Sequence, residues 1–184
     1  LAKHLKEQGE LKDNMVVSTV MSNIGFYKAI EENELQSVKT AVGDRYVVEE
    51  MRKNDYSLGG EQSGHIVLMN YATTGDGILT AVKLANIIKT SGKSLEELAS
   101  EVNIYPQKLV NIKVVDKKTA MEDAEILAEC EKVEKELEGN GRILLRASGT
   151  ENLIRVMVEA SSDELTDKYC EQVAKIVREK FEVK

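Results

Sequence analysis

The 184-residue sequence has no tryptophan, one proline, two cysteines and two histidines. Cys130 and Cys170 fall inside helical apolar patterns and not at paired or metal-ligand spacings. That argues against a disulfide scaffold or a zinc site and predicts reduced core thiols in a cytoplasmic protein. Long apolar runs are also missing. The longest, Ile78 to Ile88, is broken by Lys83 and Asn86 and falls far short of the ~20 residues that span a bilayer. No membrane span is expected. Excess positive charge is absent too: a net charge of -7 and a pI near 5.1 argue against nucleic acid or an anionic membrane as a general partner. Any anion site must therefore be local. No initiator methionine precedes Leu1, and Leu1 to Asn14 reads as the end of a helix, not as a signal peptide, so the chain is expected to be a fragment.

What is present is ample apolar content, 42%, in alternating strand and helix patterns without internal repeats. Met15 to Val20 is a β-branched run, and Ser22-Asn23 supplies an N-cap for a helix from about Ile24 to Asn33. Ser37 to Val42 predicts a second strand, and Arg45 to Met51 a helix that stops before Asn54-Asp55. Ile66 to Met69 predicts a strand. Thr73-Thr74-Gly75-Asp76-Gly77 opens a helix whose polar stripe, Lys83, Asn86 and Lys89, is narrow enough for a mostly buried helix. Ser94-Leu95-Glu96-Glu97 is a capping box. Strands alternating with helices predict an α/β domain with partly parallel pairing over residues 1–103.

Pro106 blocks helix continuation, which places a boundary at Asn103 to Gln107. Beyond it, Leu109 to Val115 predicts a strand, and Ile126, Cys130, Val133 and Leu137 share one helical face. Strands at Arg142 to Arg146 and Leu153 to Glu159 flank a loop. A last helix is capped by Ser161 and buries Leu165, Tyr169, Val173, Ile176 and Val177. The order β, α, β, β, α predicts a small α+β domain over residues 104–184, with helices on one face of a sheet.

Two loops concentrate polar chemistry. In Leu58 to His65, three glycines bracket Glu61, Gln62 and Ser63. Glycine lets backbone approach a ligand, and a carboxylate beside a hydroxyl suits a vicinal diol; a plain turn is the alternative. In Arg146 to Asn152, a guanidinium, the Ser148 and Thr150 hydroxyls and a flexible Gly149 suit a phosphate, with Arg155 nine residues on. A polar hairpin loop is the alternative there. In Gly43-Asp44-Arg45, Arg45 is a candidate catalytic or anion-contacting cation and Asp44 a candidate helix cap. Asp76 is assigned to capping, since one carboxylate is too few for Mg²⁺. His65 is either a strand-edge packing residue or a ligand contact, and His4 is expected at the surface.

Gly60-Glu61-Gln62-Ser63-Gly64-His65 and Arg146-x-Ser148-Gly149-Thr150-Glu151 resemble the sugar-binding and phosphate-binding loops of the α-D-phosphohexomutase superfamily. With Thr40 to Val47 and Thr73 to Gly77 the likeness covers essentially the whole chain, and it is nearest the bacterial members that act on glucosamine phosphates. The resemblance implies an isomerase interconverting glucosamine 6-phosphate and glucosamine 1-phosphate on the route to UDP-N-acetylglucosamine. A phosphoserine would transfer the phosphoryl group through glucosamine 1,6-bisphosphate, with Mg²⁺ assisting. By position it implies sugar contacts from Asp44, Glu61, Ser63, Gly64 and His65. It implies phosphate contacts from Arg146, Ser148, Gly149, Thr150 and Arg155, and places Arg45 at the reacting end.

The resemblance also implies a four-domain enzyme in which residues 1–103 and 104–184 are the third and fourth domains. The serine loop and the aspartate-rich Mg²⁺ loop belong to its first two domains. No Ser-His-Asn-Pro run or Asp-Gly-Asp-Gly-Asp cluster occurs here, so domains 1 and 2 are expected as partners, the phosphosugar as ligand, and a homodimer is a further expectation for the full-length enzyme. Ala147 and Asn152 stand where the family usually has proline. The alternatives are a stand-alone sugar-phosphate-binding or regulatory protein, or a member acting on glucose or mannose phosphates.

Overall fold

A computed structural model describes residues 1–183. The chain divides into two compact units, Leu1–Ile104 and Tyr105–Lys184. The first is built on β1 (Met15–Thr19), β2 (Gln36–Thr40), β3 (Leu58–Gly60) and β4 (Ile66–Leu68), in the sheet order β2-β1-β3-β4. β1 runs parallel to β2 and β3, and β4 pairs antiparallel with β3, so the sheet is mixed.

Side chains alternate across a strand, so adjacent valines of β1 feed two different cores. Val16 packs with Leu5 of α1 (Ala2–Glu7), Ile30 of α2 (Ile24–Glu32), Leu58 and Leu68. Val17 packs with Val47 and Met51 of α3 (Asp44–Asn54) and with Val67. The result is three layers, helix on sheet on helix.

Several local expectations need correction. The opening helix ends at Glu7, because Gly9 turns to φ +70 and a 3-10 turn follows at Lys12–Asn14. β2 ends at Thr40, two residues short of Val42. Helix α3 runs through Asn54 to a left-handed Asp55, and its N-cap is Gly43; Asp44 is its first residue. Leu58, Gly59 and Gly60 are strand, not loop. A Cβ on Gly59 would lie 2.5 Å from Met51 Sδ and 2.7 Å from Val47 Cγ1, so glycine is there to let α3 approach the sheet. Asp76 does cap α4 (Gly77–Ser91), accepting from Leu79 N at 2.9 Å. That helix is not mostly buried, however. Only Thr80 and Ile87 are fully covered, while Ile78 is 80% and Val82 63% exposed. The Ser94 capping box is present and opens α5 (Leu95–Ala99).

The second unit is an antiparallel sheet, β5 (Gln107–Lys113), β6 (Gly141–Ala147) and β7 (Leu153–Ala160), in the order β5-β7-β6. Helices α7 (Ala124–Leu137) and α8 (Asp163–Phe181) supply Ile126, Val133, Leu137, Tyr169, Cys170, Val173 and Val177 to one core with Ile154, Val156 and Val158. Cys130, Leu165 and Ile176 are only partly buried at its margin, and both cysteines are free. A short helix, α6 (Lys117–Met121), lies where no element was expected, and Asp116 caps it. The cap of α8 is Ser162, whose hydroxyl accepts from Leu165 N; Ser161 is one residue too early. Glu159, fully buried, receives a two-pronged bond from its cross-strand partner Arg142 (Nε to Oε2, 2.7 Å; Nη2 to Oε1, 3.2 Å).

Candidate functional site

In the first unit the parallel strands β1, β2 and β3 all end toward the same edge of the sheet, where the loops leaving them collect; ligand sites in open α/β sheets favour this edge. Gly43-Asp44-Arg45 follows β2, and Glu61 to His65 connects β3 to β4. The second loop is closed by Glu61 N donating to His65 O at 2.9 Å and Gly64 N to Glu61 O at 3.1 Å. Gly64 sits at φ +97 with open space around it, while a Cβ on Gly60 would meet His65 O at 2.8 Å. One glycine supplies the turn and the other the close approach.

The side chains of the two loops are joined. Glu61 Oε1 accepts from Gly43 N at 2.8 Å, and its Oε2 from Ser63 Oγ at 3.3 Å; Ser63 Oγ also lies 3.1 Å from His65 Nδ1. Glu61 thus spans the gap to the first turn of α3, where a carboxylate meets uncapped N–H groups and the positive end of the helix dipole. Ser63, Gly64 and His65 are exposed beside it. Asp44 Oδ1 accepts from Arg45 N at 2.8 Å, a local turn and not a helix cap. Arg45 turns onto its neighbour Tyr46, with Cζ 4.4 Å from the ring centroid and a hydrogen bond to the phenol oxygen.

In the second unit Arg146 and Arg155 are direct cross-strand partners on β6 and β7. Both are half-buried, and the Nε of each is buried with no hydrogen-bond partner among the described residues. Among the described residues the only carboxylate paired with either is Glu151, whose Oε2 is 4.0 Å from Arg155 Nη2. Burial, and then the charge of Arg155, lower the pKa of Arg146 from its ordinary value. Like charges placed opposite each other on a sheet destabilise it. Two guanidiniums so placed have donors able to take a shared anion.

The loop between them is pinned at its base. Ser148 N donates to Leu153 O at 2.9 Å, and the buried Ser148 hydroxyl accepts from Glu151 N at 3.3 Å. Gly149 and Thr150 are exposed, and their N–H groups find no acceptor among the described residues. Gly149 does not take a positive φ. Its contribution is open space, with nothing within 4 Å of where a Cβ would be. A residue missed by sequence reading also belongs here: Lys117 Nζ donates to Ser148 O at 2.8 Å and to Glu151 O at 3.0 Å. A lysine thirty residues upstream in an unrecognised helix gave no local signal.

Comparison with known proteins locates both loops in a family architecture. Residues 1–105 match the phosphoglucomutase/phosphomannomutase alpha/beta/alpha domain III, and residues 109–176 match the phosphoglucomutase/phosphomannomutase C-terminal domain. The phosphoglucosamine mutase of Anoxybacillus flavithermus is 61% identical over 180 residues, covering 98% of this chain and 40% of the relative. That of Geobacillus kaustophilus is 58% identical over 182 residues, covering 99% and 40% respectively. The chain therefore spans about two fifths of the length of the curated relatives it matches. Among solved structures, Aspergillus fumigatus N-acetylphosphoglucosamine mutase in complex with GlcNAc-6P and magnesium superposes with a TM-score of 0.78 at 21% identity. It covers 96% of this chain and 44% of that one. At that identity the likeness is one of fold.

Proposed function

Because the chain belongs to the phosphoglucomutase/phosphomannomutase family, with that family's domain III and C-terminal domain, we propose that it supplies the sugar and distal-phosphate contacts of an isomerase. The reaction is interconversion of glucosamine 6-phosphate and glucosamine 1-phosphate through a bisphosphate. The glucosamine substrate rests on relatives 56–61% identical that carry the name phosphoglucosamine mutase. The observation that carries the reading is the opposed pair Arg146 and Arg155 beside two free loop amides. A phosphate dianion there would relieve the repulsion, accept from the guanidinium groups and take the Gly149 and Thr150 N–H groups. Glu61 and Ser63 would accept from and donate to sugar hydroxyls, with Asp44, Gly64 and His65 shaping that loop, and Arg45 swinging from Tyr46 to the reacting end.

Such a site works by positioning and electrostatics; the phosphoryl donor is a serine in the part of the enzyme that these residues do not include. Magnesium belongs to the same proposal, for the whole cytoplasmic enzyme. No group of three His, Cys, Asp or Glu side chains able to hold a metal gathers among the described residues.

Calorimetry with glucosamine and glucosamine 6-phosphate tests the reading. Arg146→Lys keeps the charge but loses the two-pronged geometry, so it should weaken binding of the phosphosugar and leave the bare sugar unaffected. Equal losses for both would remove Arg146 from the phosphate site. In the full-length enzyme, Glu61→Ala removes a charged hydrogen-bond acceptor, so kcat/KM should fall at least about tenfold; unchanged kinetics in a folded variant would refute the sugar assignment.

A further inference from the structure

We propose that Lys117 is the positioning residue of the anion loop: its ammonium holds the Ser148–Gly149 peptide in the orientation that presents the Gly149 N–H to phosphate. The inference rests on the phosphate reading of Arg146 to Thr150. Lys117 Nζ reaches two carbonyl oxygens at opposite ends of the loop tip, Ser148 O at 2.8 Å and Glu151 O at 3.0 Å. No peptide bond in the chain is cis, and in a trans peptide the C=O of one residue and the N–H of the next point in opposite directions. With Ser148 O drawn to Lys117, Gly149 N–H must face away from it.

Without the ammonium, nothing among the described residues on the Lys117 side holds the Ser148–Gly149 peptide in this orientation. The Ser148 carbonyl would lose the donor it now has at 2.8 Å, and a flip of the Ser148–Gly149 peptide would turn that oxygen toward the side where the Gly149 N–H now points. The flipped loop would present an oxygen to an incoming phosphate in place of an N–H. Lys117 therefore does two things at once: it ties together the carbonyls at the two ends of the loop tip, and it fixes the amide between them. It needs no contact with the ligand to do so. Its own position is set by Asp116, which caps α6 by accepting from Lys118 N at 2.9 Å and places Lys117 as the helix's first residue.

The test is titration of the 184-residue chain with inorganic phosphate, followed by amide NMR, in the wild type and in Lys117→Met, Lys117→Arg and Lys118→Met. Lys118→Met removes the same charge one residue away and breaks no loop contact. The expected result has four parts. In wild type the Gly149 amide shifts on phosphate addition. In Lys117→Met it moves before any phosphate is added, and phosphate affinity drops about tenfold, the worth of one charge-assisted N–H bond. Lys117→Arg, which can also donate to two carbonyls, recovers most of the affinity. Lys118→Met behaves as wild type. Wild-type affinity in Lys117→Met, or an equal loss in Lys118→Met, overturns the positioning role while leaving the phosphate site in place. Absence of any phosphate response in the wild type overturns the phosphate reading and this inference with it.

Discussion

Replacing Arg155 with methionine should make the second unit more stable and less useful. In the free chain Arg155 faces Arg146 across the β6–β7 pair, and its Nε is buried without a partner. A like-charge cross-strand pair costs about 0.2–1 kcal/mol, and a buried unsatisfied donor about 1–3 kcal/mol. Arg155→Met removes both. What it gives up is a 4.0 Å contact to Glu151, whose side chain is 62% exposed, and a pair that open to solvent contributes little. Allowing for imperfect packing of the shorter chain, the net gain is about 1 kcal/mol. For a unit of this size that is a rise in Tm of roughly 4–8 °C. Phosphate reverses the comparison. At ten times its Kd it should stabilise the wild type by about 1.4 kcal/mol and leave the variant almost unmoved, so the two curves converge or cross. Urea unfolding with and without phosphate, read through exchange of the Val156 and Val158 amides on the central strand, isolates this unit. If Arg155→Met is less stable than wild type in phosphate-free buffer, or gains as much from phosphate, the argument that the arginines await an anion is wrong.

Three further outcomes follow from the packing. Gly59→Ala pushes a methyl to 2.5 Å from Met51 Sδ and 2.7 Å from Val47 Cγ1, so it should cost the first unit about 1–3 kcal/mol; an unchanged urea midpoint would refute it. Arg142→Met removes the ion-pair partner of the fully buried Glu159 carboxylate and should cost about 3–5 kcal/mol, whereas replacing both partners with apolar residues should recover most of the loss. Burial raises Cys130 and Cys170 to a pKa of about 11 each. Each thiol then stabilises the fold fully below the ordinary thiol pKa, and that contribution is lost as pH rises through about 11. At pH 8 both thiols should alkylate slowly in the native chain and rapidly in urea; fast native labelling of Cys170 would contradict the burial.

The sequence was most legible where a rule is local. The Ser94-x-x-Glu97 capping box and the Asp76 cap of α4 have short-range chemistry, and each is where its residues indicate. Legibility failed where a residue's role depends on something distant. Gly59 reads as loop because glycine marks turns, yet it is a strand residue kept small by α3. Asp44 reads as a helix cap because aspartate caps helices, yet the unit places Glu61, seventeen residues on, against the same helix start, and Gly43 takes the cap position. Lys117 has no motif at all, and its importance lies in two carbonyls more than thirty residues away. The opposed arginines are intermediate: both were candidates from spacing, but that they face each other follows only from the register of β6 against β7.

Helices α4 and α8 show why apolar periodicity identifies a face without identifying what covers it. Both carry apolar residues at helical spacing, and both read as core helices. α8 lies across its sheet, so Tyr169, Cys170, Val173, Ala174 and Val177 are all buried against β5 and β7. α4 meets its sheet at β4, an edge strand of three residues. A strand that short, about 10 Å long, can cover little more than one side of a fifteen-residue helix about 22 Å long. Leu79 and Ile87 reach the core side, while Ile78, Ala81, Val82 and Ala85, at i, i+3, i+4 and i+7, face out. Burying a helix stripe takes a surface of matching length, and the length of β4 is written in residues 66–68, not in the periodicity of residues 77–91.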